Sequence, residues 1–332
     1  MTPNLYICST YYHVLITICK VVVNKQQADI VLCDDIPETQ KLQISLIQSN
    51  YFANVIYFDS NRVHEYFGKN KLDWIFFQHK KNRREIEKEF KIDVTRYQDI
   101  YIYHDDIILG HYLNDIKIRY HLLEDAQDFY KIIDRTPFAR CLPQSGIKYK
   151  LRRLLRSGYF PLGQSPYVID IEVNDNRGLK IHHKNVVEYS KNLIFESLSE
   201  NERKKICDIF FTTEDFEALR NPHVLLLLAQ PLWKDGYVKS SEEQDKVYLN
   251  IISKFKKEGY NVVVKQHPRD TTNYEYLSNV SLLPQNLPIE TLNFVPIQLD
   301  CVATIFSTAI EQMKMAKKKI VIGMEAISQY IK

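Results

Sequence analysis

His267 sits where chemistry is easiest to read from this sequence. It follows the run Asn261-Val262-Val263-Val264-Lys265 and precedes Pro268-Arg269-Asp270. Three successive β-branched residues fit a strand covered on both faces, as in a parallel sheet. Pro268 has no N–H to give to a ladder, so His267 is expected at the carboxyl end of a buried strand. Ligands of open α/β sheets sit beyond those ends, and an imidazole there can donate to a phosphate or move a proton near neutral pH. The competing structural explanation is a histidine that only caps a loop.

Three other segments bear on that choice. Ser307 and Thr308 follow the apolar run 299–306, at a turn from strand to helix. Hydroxyls there can cap the helix, and its free N–H groups and dipole favour a phosphate or carboxylate. Pro288 suits a first helical turn and places Glu290 within it. If His267 and Ser307 lie at neighbouring strand ends, Glu290 can accept from both hydroxyls of a ribose, and the set makes a nucleoside monophosphate site. Glu124 and Asp125 close another strand-like run, 119–124. A carboxylate there can take a proton from an acceptor hydroxyl while His267 assists a departing phosphate, with acid and base divided between two domains. Capping alone would account for any one of these segments.

The elements that must position these residues alternate along the chain. Strands are expected at 5–9, 28–33, 54–58, 99–103 and 119–124, with helices at 12–23, 39–48, 80–90 and 107–113. From residue 223 the alternation restarts, with strands at 223–229, 262–265, 280–283, 299–306 and 320–324. Helices are expected at 242–257, from 288, and at 307–315. This β-α-β order argues for parallel sheets with helices on both faces. The reading is an α/β chain of GT-B type, two Rossmann-like domains facing a central cleft. Residues 1–135 form the first and carry the base, 136–222 connect, and 223–332 form the nucleotide-binding second.

Composition agrees with a globular protein of two ordinary domains: 332 residues, 45% hydrophobic, 26% charged. No apolar run approaches the ~20 residues that span a bilayer, and the start reads as a first strand rather than a leader. The six cysteines show no CxxC spacing, which suggests a reducing cytoplasm and no zinc. A formal charge of +3 is too small to imply nucleic acid. Lys148, Lys150, Arg152, Arg153 and Arg156, interleaved with leucines, form a basic amphipathic stretch, 148–156, suited to an anionic membrane surface, an acidic acceptor or plain solvent. Twenty-two tyrosines suit carbohydrate, whose C–H faces stack on rings, though tyrosine is also an ordinary strand residue. The pairs Asp34-Asp35 and Asp105-Asp106 read as turn formers, and no metal is expected.

The order Glu124-Asp125-Ala126, His267-Pro268, Ser307-Thr308 resembles the acidic, HP and serine motifs of bacterial sialyltransferases of glycosyltransferase family 52. The opening Leu5-Tyr6-Ile7-Cys8-Ser9-Thr10-Tyr11-Tyr12-His13 and the segment Leu228-Ala229-Gln230-Pro231-Leu232-Trp233-Lys234-Asp235-Gly236 are similar to that family as well. The resemblance implies inverting transfer of sialic acid from CMP-sialic acid to a galactose-terminated acceptor in capsule or lipooligosaccharide synthesis, with neither metal nor further cofactor. It assigns the base to Asp125, with Glu124 as the alternative, the CMP phosphate to His267, phosphate or sialic carboxylate to Ser307 and Thr308, and the ribose to Glu290. A dimer is common in the resembled family, and the basic stretch 148–156 suggests a cytoplasmic enzyme attached peripherally to the inner membrane face, where lipid-linked acceptors are met. One departure is Ala126, where the family usually has glycine; Asp235-Gly236 offers a second acid-Gly pair, so Asp235 is the runner-up base. Two other readings stay open: a GT-B enzyme with a different sugar nucleotide, and a glycan-binding or assembly protein without catalysis.

Overall fold

Strands that are apolar on both faces and joined by helices make two parallel sheets. The computed structural model describes residues 2–34, 36, 38–64, 78–126, 129–130, 163–179, 185–270, 272–274 and 280–331. The chain divides into two compact units, Met1–Ser199 and Glu200–Lys332.

The first unit holds a seven-stranded sheet in the order β3-β2-β1-β4-β5-β6-β7. Its strands are β1 Asn4–Cys8, β2 Ala28–Cys33, β3 Val55–Phe58, β4 Ile100–Ile102, β5 Tyr120–Leu123, β6 Val168–Val173 and β7 Val186–Glu188. The chain builds outward from β1 through β3 and then returns to β1's other edge with β4, the doubly wound order whose reversal opens a crevice between β1 and β4. Leu5, Ile7, Val31, Ile100 and Ile102 share one core. The helix Tyr11–Val23 is buried from His13 to Val21, Lys20 included. That buried charge is tolerated because Lys20 Nζ lies 2.5 Å from both carboxylate oxygens of Glu172 on β6.

The second unit repeats the plan in five strands, ordered β10-β9-β8-β11-β12. They are β8 Val224–Leu228, β9 Asn261–Lys265, β10 Ser281–Leu283, β11 Leu299–Thr304 and β12 Ala316–Val321. Alternation sends Leu225, Leu227, Val262 and Val264 into the core on one face. Leu226, Leu228, Val263 and Val302 enter the core on the other. Each such side chain contributes about 1.5–3 kcal/mol on burial. The long helix Ser241–Lys257 begins at Ser240, whose hydroxyl accepts from the Glu243 amide, and it carries acids in its first turn and lysines in its last, matching the helix dipole.

Several boundaries differ from the sequence expectation. The units meet at 199/200, and residues 168–188, read as part of a connection, supply β6 and β7 to the first sheet. These strands carry Asp170, Glu172 and Glu188 and are only partly buried, so they lack the apolar run that marks a central strand. The last strand starts at Ala316, earlier than the expected 320, because β12 is an edge strand that leaves Lys317, Lys318 and Lys319 in solvent. In place of helices, short 3-10 turns occupy Ile289–Phe294 and Thr308–Gln312. The basic stretch 148–156 lies outside the described residues. No helix among those described is long and apolar enough to cross a membrane.

Candidate active site

In the first unit three strand exits are level. Ile7 of β1 pairs with Ile102 of β4, which pairs with Leu122 of β5. Ser9, His104 and Glu124 each fall two residues beyond that row, and Asp125 one further. Thr10 caps the helix Tyr11–Val23 by accepting from the His13 amide (3.1 Å). His13 is thereby fixed in the first turn, fully buried, with its ring stacked on Tyr103 at a centroid separation of 4.0 Å. Its Nδ1 accepts from the Ser9 amide (3.2 Å), so the neutral ring carries its proton on Nε2. That Nε2 donates to Asp125, 2.8 Å from Oδ1 and 3.0 Å from the carbonyl oxygen.

His104, beyond β4, reaches the same Oδ1 through Nε2 at 2.7 Å, while its Nδ1 lies 3.3 Å from Asp106. Burial alone would lower the His104 pKa. The carboxylates of Asp106 and Asp125 outweigh that and push it up to about 10, so His104 is an imidazolium at neutral pH. His13 moves the other way, since complete burial lowers it despite Asp125. Burial would raise the Asp125 carboxyl, but the two imidazoles hold it well below the usual carboxylate range. The result is a carboxylate ionised at neutral pH beside the first sheet's order reversal, with one neutral and one charged imidazole on a single oxygen.

By count His13, His104 and Asp125 could hold a metal, their ligand atoms lying within 4.8 Å of one another. The outer contacts do not suit one. A metal-bound histidine donates through its other nitrogen, whereas His13 Nδ1 already accepts from Ser9. Asp34 accepts from Ser60 and from the Asn61 amide, and Asp105 from the Gly163 amide; these acids, expected to form turns, instead tie together segments far apart in sequence.

Glu124 points elsewhere. Its side chain is 3% exposed; Oε2 accepts from the Asn174 amide (2.8 Å) and lies 3.5 Å from Lys191 Nζ. It ties β5 to the segment after β6. Glu124→Ala is expected to cost about 3 kcal/mol, because it strips a carboxylate from a buried lysine. A urea melt with an unchanged midpoint would contradict this.

In the second unit Leu228 of β8 pairs with Lys265 of β9 and with Thr304 of β11. Gln230, His267 and Phe306 each lie two residues past that row. His267 and Ser307 are therefore not on adjacent strands, since β8 runs between β9 and β11. His267 Nδ1 accepts from the Arg269 amide (3.1 Å), which puts its proton on Nε2. Burial, together with the charges of Arg269 and Lys265, pushes His267 down to about 4, so it is a neutral N–H donor at neutral pH. The turn that carries it is clamped from below. Gln285 Nε2 donates to the carbonyls of His267 and Pro268 at 2.9 and 3.1 Å. Lys265 Nζ donates to the carbonyls of Gln266 and Gln285 at 2.8 and 2.9 Å.

The remaining candidates are spread along the same sheet edge. Burial pushes Lys265 down to about 7 against the pull of Glu290, which places Glu290, itself 8% exposed, beside that lysine. Ser307 Oγ accepts from the Ala309 amide (3.3 Å) and so caps its own 3-10 turn. The side chain of Thr308 is outside what is described. Asp235 is engaged by Arg269 in a forked pair at 3.0 and 3.3 Å. Sequence reasoning passed over His13 and His104, although each follows a strand exit as His267 does.

Two Rossmann-type units in succession, each with polar groups gathered past the carboxyl ends of a parallel sheet, are the construction of a GT-B glycosyltransferase. The model of glycosyltransferase family 52 matches residues 61–327, and the chain belongs to that family. It is a glycosyltransferase. No curated protein gives a significant match. Among solved structures, TcCGT1 in complex with UDP aligns with 9% identity over 100% of this chain and 90% of that chain, at a TM-score of 0.49.

Proposed function

We propose that the protein transfers sialic acid from CMP-sialic acid to a galactose-terminated glycan with inversion, serving capsule or lipooligosaccharide synthesis. The observation that carries this reading is the ionised Asp125 held on two imidazoles, together with membership of family 52. In this scheme the acceptor hydroxyl forms a bond to the anomeric carbon as the bond to the CMP phosphate breaks. The hydroxyl proton passes to Asp125, the phosphate keeps the bonding electron pair, and His267 Nε2–H donates to it. Glu290 serves the ribose, whereas Ser307, beyond β11 and two strands from His267, caps its own 3-10 turn and is left out of the phosphate contact.

A carboxylate of depressed pKa is a weak base, and the chemistry tolerates one. The transition state is oxocarbenium-like, so the hydroxyl becomes strongly acidic only as its new bond forms, and the proton is lost late. Fixed donors at the leaving phosphate and alignment of the acceptor then supply most of the rate. Asp125 fits the role better than Glu124, which is committed to Asn174 and Lys191, or Asp235, which is committed to Arg269.

The test is release of CMP from CMP-sialic acid by the full chain, with and without lactose, in EDTA. Release that rises with lactose and survives EDTA is the expected result. Silence with CMP-sialic acid but turnover of another sugar nucleotide would replace the donor and keep the class of reaction.

A further inference from the structure

The loop after β8 is pinned along its length yet leaves two aromatic rings in solvent. The Gln230 amide donates to Tyr248 Oη, which donates back to the Gln230 carbonyl, at 2.6 and 2.9 Å. The Trp233 amide donates to Gln244 Oε1 (2.8 Å). Leu232 and Val238 are buried in the unit's core, and Asp235 is forked onto Arg269. Between these anchors Trp233 and Tyr237 are each 45% exposed. A loop held this firmly cannot fold its rings away, so their exposure belongs to its built conformation.

Tyr237 has an aromatic partner. Its ring meets Phe306 at a centroid distance of 4.8 Å, tilted by 55°. Phe306 is held in turn by its amide, which donates to Gln230 Oε1 (3.1 Å). The pair therefore bridges the exits of β8 and β11, the strands between which this sheet reverses its order, and ligands of such sheets lie there. On β8's other side, the Asp235–Arg269 pair joins the same loop to the His267 turn. From β9 to β11 is two strand spacings, roughly 10 Å. That span has the half-exposed Tyr237 ring, backed at a tilt by Phe306, at one end and the Nε2–H of His267 at the other.

We infer that the Tyr237–Phe306 pair is the stacking platform for the base of the nucleotide donor. The inference rests on the sugar-nucleotide reading above and adds to it the residues that would recognise a heteroaromatic base. Stacking accepts any base with a free π-face, so the platform selects a nucleotide over a bare sugar phosphate.

Calorimetric titration of the full chain with CMP, UMP and ribose 5-phosphate tests this. Wild type is expected to bind a nucleotide more tightly than ribose 5-phosphate. Tyr237→Ala should weaken nucleotide binding by about 10-fold or more, with ribose 5-phosphate unchanged, and Tyr237→Phe should restore the preference. A nucleotide preference that survives Tyr237→Ala overturns the platform and leaves the donor class standing. Binding of UMP without CMP, abolished by Tyr237→Ala, keeps the platform and overturns the CMP donor. A wild type that does not prefer either nucleotide overturns the platform outright.

Discussion

Asp125→Ala is expected to lower kcat by about 10²- to 10⁴-fold, the range for loss of a positioned base. It should do so with little change in donor affinity, because Asp125 belongs to the first unit and the groups proposed to hold the nucleotide belong to the second. Glu124→Gln should leave kcat within a few fold of wild type, and a loss equal to that of Asp125→Ala would reverse the assignment. The neighbouring imidazoles make a second test. His104 has its pKa raised from 6.5 to about 10. The stability it contributes is complete below about 6.5 and is lost as pH rises through about 10. Asp125 has its pKa lowered from 3.8, so its contribution is present above that value and is lost as pH falls through the lower folded-state pKa. His104→Ala should therefore destabilise the protein at neutral pH more than at pH 10.5, and it should move the acid limb of the activity profile upward. Urea melts at the two pH values read the first effect, and a rate profile extended below pH 4, into the range of the depressed Asp125 carboxyl, reads the second. A profile identical to wild type would remove His104 from the role of holding Asp125 ionised.

His267→Ala should be nearly as severe, with a loss of about 10²- to 10³-fold in turnover, as for a donor removed from developing negative charge. Unlike Asp125→Ala, it should also weaken CMP. The charge state of the ring sharpens the prediction. His267 is pushed down to about 4 in the free protein, so its NMR titration should fall well below the ordinary value of 6.5. Bound phosphate should raise it again, since an anion favours the imidazolium. His267→Gln places an amide N–H near the position of Nε2 and should recover part of the binding. A titration near 6.5 that CMP does not move would take His267 away from the phosphate.

Much of this was open to reading from the residue order. The valines before His267 required a strand buried on both faces, and Pro268 required it to stop, so the histidine had to stand at a sheet's mouth. The same reasoning located Asp125 and Ser307 at strand exits. The edge strands β7 and β12, and β6 next to an edge, were harder to read. The half-polar β6 and β7 and the lysines of β12 are stable only because one face is in solvent, and their pattern resembles that of loops.

The partnership of Asp125 was not readable at all. His13 is 112 positions away in sequence, and His104 belongs to a third strand's exit. They meet because the sheet order sets β4 between β1 and β5 and the register makes all three exits level. Sequence by itself determined the α/β class, the apolar strands and the residue types at their ends, because these follow from local apolar pattern and backbone chemistry. Only the tertiary structure decided that Asp125 rather than Glu124 joins the histidines, and that His104 is charged while His13 and His267 are not. Ionisation depends on burial and on the distance to other charges, and both are properties of the assembled sheet.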